Sequence, residues 1–409
     1  MAAVPGLLDK AVVLMLNLPP AAFCGIDLLS FTSSPRFHGI KELPAGWHFV
    51  FTGATTSLSL RHGVWFKVDP PNAGPAEVLV RKWNSDQEVL VPEKDEVELF
   101  RWKANLGSIW KEGLTPYRQS ASAAADGEAS SRVEGEGKDW RQLTDYITPS
   151  LLSRVTGGEW NEWSLTSASS AKVDRDDIPG LSGEENAARP EKELNFLPVN
   201  LKQTWRSGAI GRERTEAAKD RSWALGDVIR NYCSWSEEME IVGEMQLTFL
   251  MVLTLSNFSC LEQWKRILNL VFTCQMAAKD RPTLFTRILK LLKLQLQHCN
   301  DVEGGLFDLS DEGGVMLKQL LRNFRRGLED VFGTEESEVK DCCQELETYM
   351  KTEYGWDLGD SYVRSGMLQL EDGERVEMDV NDLEGEDERG EFAPVVVDLG
   401  EGDGHVGIE

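Results

Sequence analysis

The apolar residues change period partway along the chain, and no other feature limits the fold as strongly. Up to about residue 90 they alternate in short runs bounded by Pro and Gly, and from 212 to 355 they recur every three or four positions. The first period is that of a strand and the second that of a helix. Ala11–Leu18 is a strand-length run closed by Pro19 and Pro20. Gly46–Thr52 sets Trp47, Phe49 and Phe51 against His48, Val50 and Thr52, which predicts a half-buried strand. His62–Val68 and Glu77–Trp83 repeat the pattern around a PPNAGP loop. Short strands separated by such turns predict a sandwich or small barrel. Residues 92–106 then read as a helix with Val97, Phe100 and Ala104 on its apolar face.

The helical half carries five apolar faces. Ala224, Leu225, Val228, Ile229 and Tyr232 form the first, and Glu237–Ala278 reads as two helices meeting near Asn257–Ser259. Leu284, Ile288, Leu291 and Leu292 come next, then Leu317, Leu320, Leu321, Phe324, Leu328 and Val331, then Val339, Cys342, Leu346, Tyr349 and Met350. This predicts an all-α bundle with short connections. Residues 119–139 are small, polar or charged and read as a disordered insertion. Residues 140–156 regain apolar content as a helix broken near Thr148-Pro149. The polar stretch 157–193 reads as a linker. The expected architecture is α+β multidomain: a β-sandwich-like domain over 1–156, a flexible linker over 157–193, a helical domain over 194–359 and an acidic tail over 360–409.

Charge is unevenly placed. The chain carries a formal charge of −25, yet residues 1–118 hold 12 acids and 12 bases, while residues 360–409 hold 16 acids and 3 bases. No segment has the basic surplus that gripping nucleic acid or an anionic membrane surface requires. The expected partner is a protein, and the chain on its own is expected to be a monomer. Seven cysteines without a CxxC pair predict reduced thiols and an intracellular location. The start of the chain has no basic segment or cleavage site of a signal peptide. The longest apolar run, Met245–Phe258, holds 14 residues against the roughly 20 that span a bilayer.

Catalytic signals are weak. None of the five histidines stands in HExxH or at zinc-ligand spacing, and no GxSxG, Walker or GxGxxG motif occurs. His48 is expected to face solvent or to serve as a hydrogen-bonded turn residue, and Cys342 to pack in the core. No catalytic residue, metal ligand or cofactor site is assigned. A β-sandwich hydrolase would need His48 and Asp27 to converge on a pocket, and an adapter reading peptide or ubiquitin signals would use the helical bundle alone. Ser34-Pro35, Thr115-Pro116 and Thr148-Pro149 are generic Ser/Thr-Pro sites, better read as ordinary proline turns.

The tail ends in EFAPVVVDL, whose β-branched Val395, Val396 and Val397 have strand character without a sheet inside a helical domain. Pro394, Val395, Val396, Val397, Asp398 and Leu399 are therefore the candidate partner-binding residues, adding a strand to a sheet edge of another protein. On the residues alone, folding back onto the N-terminal sheet is equally compatible.

Several motifs resemble a known family. Gly25-Ile26-Asp27, then Pro35-Arg36-Phe37-His38-Gly39-Ile40-Lys41, then Leu43-Pro44-Ala45-Gly46-Trp47-His48-Phe49 resemble the start of the a1-alpha2-repression splicing-factor family of U5 small nuclear ribonucleoprotein assembly factors. Gly243–Phe249, Glu262–Leu270, Tyr354-Gly355-Trp356-Asp357 and Ala393–Leu399 are similar to its later motifs, in the same order. The resemblance covers roughly 10–110, 140–156 and 194–400. It implies a β-sandwich-like domain, a helical domain and an extended tail. It also implies a non-enzymatic role: binding pre-mRNA-processing-splicing factor 8 through its RNase H-like and Jab/MPN-like domains during cytoplasmic maturation. The helicase and premature RNA are thereby kept off until exchange in the nucleus, and in some members phosphorylation releases the factor. The resemblance favours Pro394–Leu399 as the strand-adding contact.

Overall fold

Strands form where the apolar residues alternate, and the helices begin and end at identifiable caps. The computed structural model describes residues 10–55, 59–70, 77–118, 138–176, 193–299, 312–358, 365–369 and 375–379. Strands β1 (Ala11–Leu16), β2 (Phe23–Ile26), β3 (Leu29–Thr32), β4 (Gly39–Leu43), β5 (Gly46–Gly53), β6 (Arg61–Val68), β7 (Val78–Asn84) and β8 (Val89–Pro92) precede helix α1 (Glu96–Ile109) and strand β9 (Leu114–Pro116). A helical turn at 138–142 leads to α2 (Pro149–Thr156), β10 (Trp163–Thr166) and α3 (Lys172–Asp176). The helical half comprises α4 (Arg212–Lys219), α5 (Ser222–Tyr232), α6 (Met239–Leu255), α7 (Phe258–Val271), α8 (Gln275–Asp280), α9 (Pro282–Gln297), α10 (Glu312–Phe332) and α11 (Glu338–Tyr354). β11 (Ser365–Gln369) and β12 (Arg375–Asp379) pair as an antiparallel hairpin. No helix among the described residues is long and apolar enough to cross a membrane.

The β half is the expected sandwich of two five-stranded sheets, ordered β8-β7-β1-β4-β9 and β10-β6-β5-β2-β3. The second sheet is antiparallel throughout, whereas β1 runs parallel to β7 and β4 parallel to β9 in the first. Val13, Met15, Ile40, Val50, Val64 and Phe66 fill the space between the sheets. Val12, Leu14 and Leu16 point the other way and pack with α1. Phe49, Phe51, Trp65 and Trp163 leave the second sheet on its outer side and join the core of the helical half. The molecule is thus layered as helix, sheet, sheet, helices, and the second sheet is covered on both faces.

Three expectations change on this account. β5 alternates as predicted but is buried on both faces from His48 onward, because helices cover its aromatic side and the first sheet covers the His48 and Val50 side expected to meet water. In α1 the buried side is Leu106 with Leu99, Trp102 and Ile109, while Val97 and Phe100 are exposed; the bulkier stripe took the sheet. The stretch 157–193, read as a linker, contains β10, which pairs with β6 in register Trp163↔Trp65 and Leu165↔Gly63. Its alternation of Trp163 and Leu165 with Ser164 and Thr166 is only one strand long and is hidden in Ser-rich sequence. Of the segment read as an insertion, Lys138 and Asp139 open the helical turn, and 119–137 lie outside the described residues.

The helical boundaries follow local chemistry. Thr148 caps α2 by accepting from the Leu151 N–H, with Pro149 at the first helical position. α6 ends on left-handed Ser256 (φ 55°), and the Asn257 side chain accepts from Cys260 N–H to start α7. The same Asn257 amide donates to the carbonyls of Thr166 (2.9 Å) and Ser169 (2.8 Å), so this joint is tied to the end of β10.

A buried polar hub completes the join between the halves. Glu244 of α6 is fully buried. Its carboxylate accepts from Leu197 N–H at 3.0 Å and Gln263 Nε2 at 2.8 Å, and pairs with Arg154 of α2 at 2.8 Å. Arg154 also holds Glu240 at 2.8 Å and donates to the Asn195 carbonyl at 3.1 Å. The neighbouring Gly243 lies against the Tyr146 carbonyl and Leu151, so a Cβ there would collide with backbone.

A second buried pair sits inside the sandwich. His48 Nδ1 lies 2.8 Å from Asp27 Oδ2, and His48 Nε2 lies 2.9 Å from the Pro44 carbonyl. Both ring nitrogens face acceptors, so the ring donates twice as an imidazolium. Burial pulls its pKa down, but the charge and hydrogen bond of Asp27 and the Pro44 carbonyl outweigh this and leave it above 6.5.

Two outcomes follow. The stabilisation from the His48 proton is complete below pH 6.5 and is lost as pH rises through the raised folded value. Urea midpoints should therefore decline above that pH in the wild type, and the gap between wild type and His48→Gln should narrow; a gap independent of pH contradicts the assignment. Glu244→Ala, which breaks a buried ion pair, should cost about 3–5 kcal/mol. Far-UV dichroism and tryptophan fluorescence should still unfold together, because the halves share one core.

Candidate interaction surface

The expected docking residues Pro394, Val395, Val396, Val397, Asp398 and Leu399 lie outside the described residues. Most of the motif residues nearer the start point inward. Gly25 lies under the Phe51 ring of the neighbouring strand, where a Cβ has no room. Asp27 accepts from His48 and from the Phe49 N–H at 2.8 Å. In the helical half Gln246 accepts from Tyr146 N–H (3.0 Å) and donates to the Gln142 carbonyl (2.8 Å), and Trp264 Nε1 donates to Gln295 at 2.9 Å. These residues build the body rather than a reactive site.

The groups with catalytic potential are similarly engaged. Asp27 and His48 do meet, as a hydrolase would require, but they are 0% and 1% exposed. Nε2 of His48, the atom a general base would use, already donates to Pro44, and Tyr117 Oη donates to Asp27 at 2.5 Å. Burial pushes the Cys24, Cys233 and Cys343 thiols up to about 12, far from the thiolate a nucleophile needs. Cys342 packs in the core, as expected. Among the described residues no group of three or more His, Cys, Asp or Glu side chains could hold a metal ion.

The surface offers two features suited to protein contact. Trp235, between α5 and α6, is fully exposed and sits in the left-handed region (φ 56°, ψ 22°), with Tyr232 half exposed nearby in sequence. A bulky residue held there is strained, and tryptophan is enriched among the anchors of protein interfaces. It lies in SWSEE, outside any periodic pattern, so only its isolation among polar residues could have marked it.

The other feature is a groove of about 470 Å³ at the open end of the sandwich. The β4–β5 turn (Pro44, Ala45, Gly46), Trp47 and Tyr117 form one side, and Trp140, Arg141, Thr144 and Asp145 the other. Lys67 and Arg118 also line it, and Lys67 Nζ stands 5.5 Å over the Trp47 ring. No period or motif brings these segments together in the sequence. A second hollow of about 430 Å³, beside α5 and α9, is lined by Arg230, Glu238, Asp280 and Arg281, with Arg281 paired to Glu238 at 2.5 Å.

Both halves of the chain match descriptions of one family of known proteins. The description "AAR2 N-terminal domain" matches residues 9–157, and "AAR2 C-terminal repeat region" matches residues 196–359. The human Protein AAR2 homolog is 25% identical over 305 residues, covering 70% of this chain and 76% of that protein. The Caenorhabditis elegans Protein AAR2 homolog is 23% identical over 317 residues, covering 71% and 80%. The A1 cistron-splicing factor AAR2 of Saccharomyces cerevisiae is 22% identical over 270 residues, covering 62% and 68%. With both regions matched in order on a sandwich fused to a helical body, this chain belongs to the AAR2 family.

Proposed function

We propose that this chain is a non-enzymatic splicing factor that assists assembly of the U5 small nuclear ribonucleoprotein. The observation that carries the reading is the match of both halves to the AAR2 family, one of whose members is named a splicing factor. The geometry is compatible with a binding role: the buried titratable groups form pairs that hold layers together, and the exposed Trp235 offers an anchor. The partner is pre-mRNA-processing-splicing factor 8, engaged through its RNase H-like and Jab/MPN-like domains. Occupying them keeps the helicase and premature RNA away. The factor acts in the cytoplasm and accompanies the particle to the nucleus.

The segment Pro394–Leu399 supplies the strand-adding contact in this reading, with backbone hydrogen bonds giving affinity and alternate valines giving fit. Deleting 392–409 should weaken binding to the partner's RNase H-like domain by about tenfold or more, about 1.4 kcal/mol, in calorimetry. The melting temperature should stay unchanged. Unaltered affinity would remove the tail from the mechanism. Affinity purification that recovers ubiquitinated ligands instead of U5 proteins would favour the adapter reading.

A further inference from the structure

We propose that the groove beneath the β4–β5 turn is an intramolecular docking site for the acidic segment 380–391 of the same chain. The inference stands on charge and placement, and it holds whether or not Pro394–Leu399 binds the U5 scaffold.

Three cations, Lys67, Arg118 and Arg141, line the groove, and none has an ion pair among the described residues. Elsewhere surface cations are commonly paired, as in Lys290–Glu338 and Lys279–Glu335. The one acid on the wall, Asp145, is occupied: Gln246 donates to it at 2.5 Å, and Arg287 opposes its charge. The floor is aromatic, from Trp47, Tyr117 and Trp140. The groove therefore presents unpaired positive charge around an apolar base, in a chain of net charge −25.

Segment 380–391 has the complementary character. It holds six acids (Asp382, Glu384, Glu386, Asp387, Glu388 and Glu391) and one base, Arg389, with Leu383 as an apolar side chain. It is repelled from the helical half, where 212–359 carry 25 acids and 18 bases, and less so from the neutral first 118 residues. The end of α11 is linked through the end of α9 to the groove wall. Tyr354 Oη, at the end of α11, donates to the Leu296 carbonyl at 2.8 Å near the end of α9. Two residues on, His298 stands 3.4 Å from Asp139, which immediately precedes Trp140 and Arg141 of the groove. The chain leaving α11 reaches segment 380–391 through residues 355–379, which include the β11–β12 hairpin, and this stretch is the tether back to the groove. Exposed ion pairs are individually weak, but the tether supplies an effective concentration of about millimolar. Docked there, the acids hold the adjoining Pro394–Leu399 near the body until a competitor draws it away.

Carbodiimide cross-linking of the full chain tests this, because it joins carboxylates directly to lysine amines. At low ionic strength, cross-links from 382–391 to Lys67 should exceed those to Lys82, Lys94 or Lys111 by about fivefold. They should fade at about 0.5 M salt, where charges are screened within about 4 Å. Tryptic cleavage at Arg389 should be slow in the wild type and accelerate several-fold in the double variant Arg118→Glu, Arg141→Glu. Lys67→Arg should lose the cross-links yet keep Arg389 protected, which separates loss of chemistry from loss of docking. Absence of Lys67 enrichment, or unchanged Arg389 cleavage in a double variant with a wild-type urea midpoint, overturns the proposal. Cross-links between isotopically heavy and light chains in a mixture would also overturn it, by making the tail of a second copy the occupant.

Discussion

The buried Glu244 carboxylate is the interaction on which the arrangement of the two halves depends. Burial pushes its pKa up, while Arg154, Gln263 and the Leu197 N–H pull against that rise. A charge removed from water is tolerated only when its hydrogen-bonding capacity is met. Here the partners come from α2, from the segment before α4, and from α7. None of those segments can shift without stranding the carboxylate. Arg154, partly buried, keeps its proton more firmly than usual: burial alone would weaken it, but Glu244 and Glu240 outweigh that. Such a pair is a modest source of stability compared with apolar packing, but it specifies one geometry.

The second consequence is the middle sheet. Once α2, α6 and α7 are held against it, the outer face of β5 and β6 cannot be polar, and Phe49, Phe51 and Trp65 fill the interface with Trp140. The other face meets the first sheet, where His48 can be tolerated because Asp27 and Pro44 satisfy it. The two buried ionic groups therefore do the same kind of work in different layers. Each selects a unique packing in a region where apolar contacts alone permit several.

Much of the fold was legible in the residues. A strand-length apolar run located β1 and alternation located β5, β6 and β7, and the apolar faces of α5, α9, α10 and α11 fell where 3.6-residue spacing put them, except at half-exposed Tyr232 of α5. The joint between α6 and α7 fell within the expected Asn257–Ser259, where the structure shows Asn257 capping α7. Three features were hidden. The face of α1 was ambiguous because two apolar stripes occur on one helix, and only the sheet beneath it chose Leu99, Trp102 and Leu106. β10 was too short to stand out from its serines. His48 read as solvent-facing or as a hydrogen-bonded turn residue; Pro44 is its neighbour through the β4–β5 turn, but its burial depends on Asp27, which becomes a neighbour only when β2 pairs with β5.

The candidate sites divide along the same line. The acidic tail and its valine segment are properties of local composition, readable without coordinates, as are the family's motifs. The groove of Lys67, Arg118 and Arg141 and the exposed Trp235 came only from the folded chain. Periodicity and composition act over a few neighbouring residues, so the sequence by itself determined the element types, the order of the two halves and where the charge lies. Which apolar face is covered, which cations stay unpaired and which acid is buried depend on segments tens to hundreds of residues apart meeting. That was decided by the tertiary structure, because contact between distant segments is the only interaction that distinguishes those outcomes.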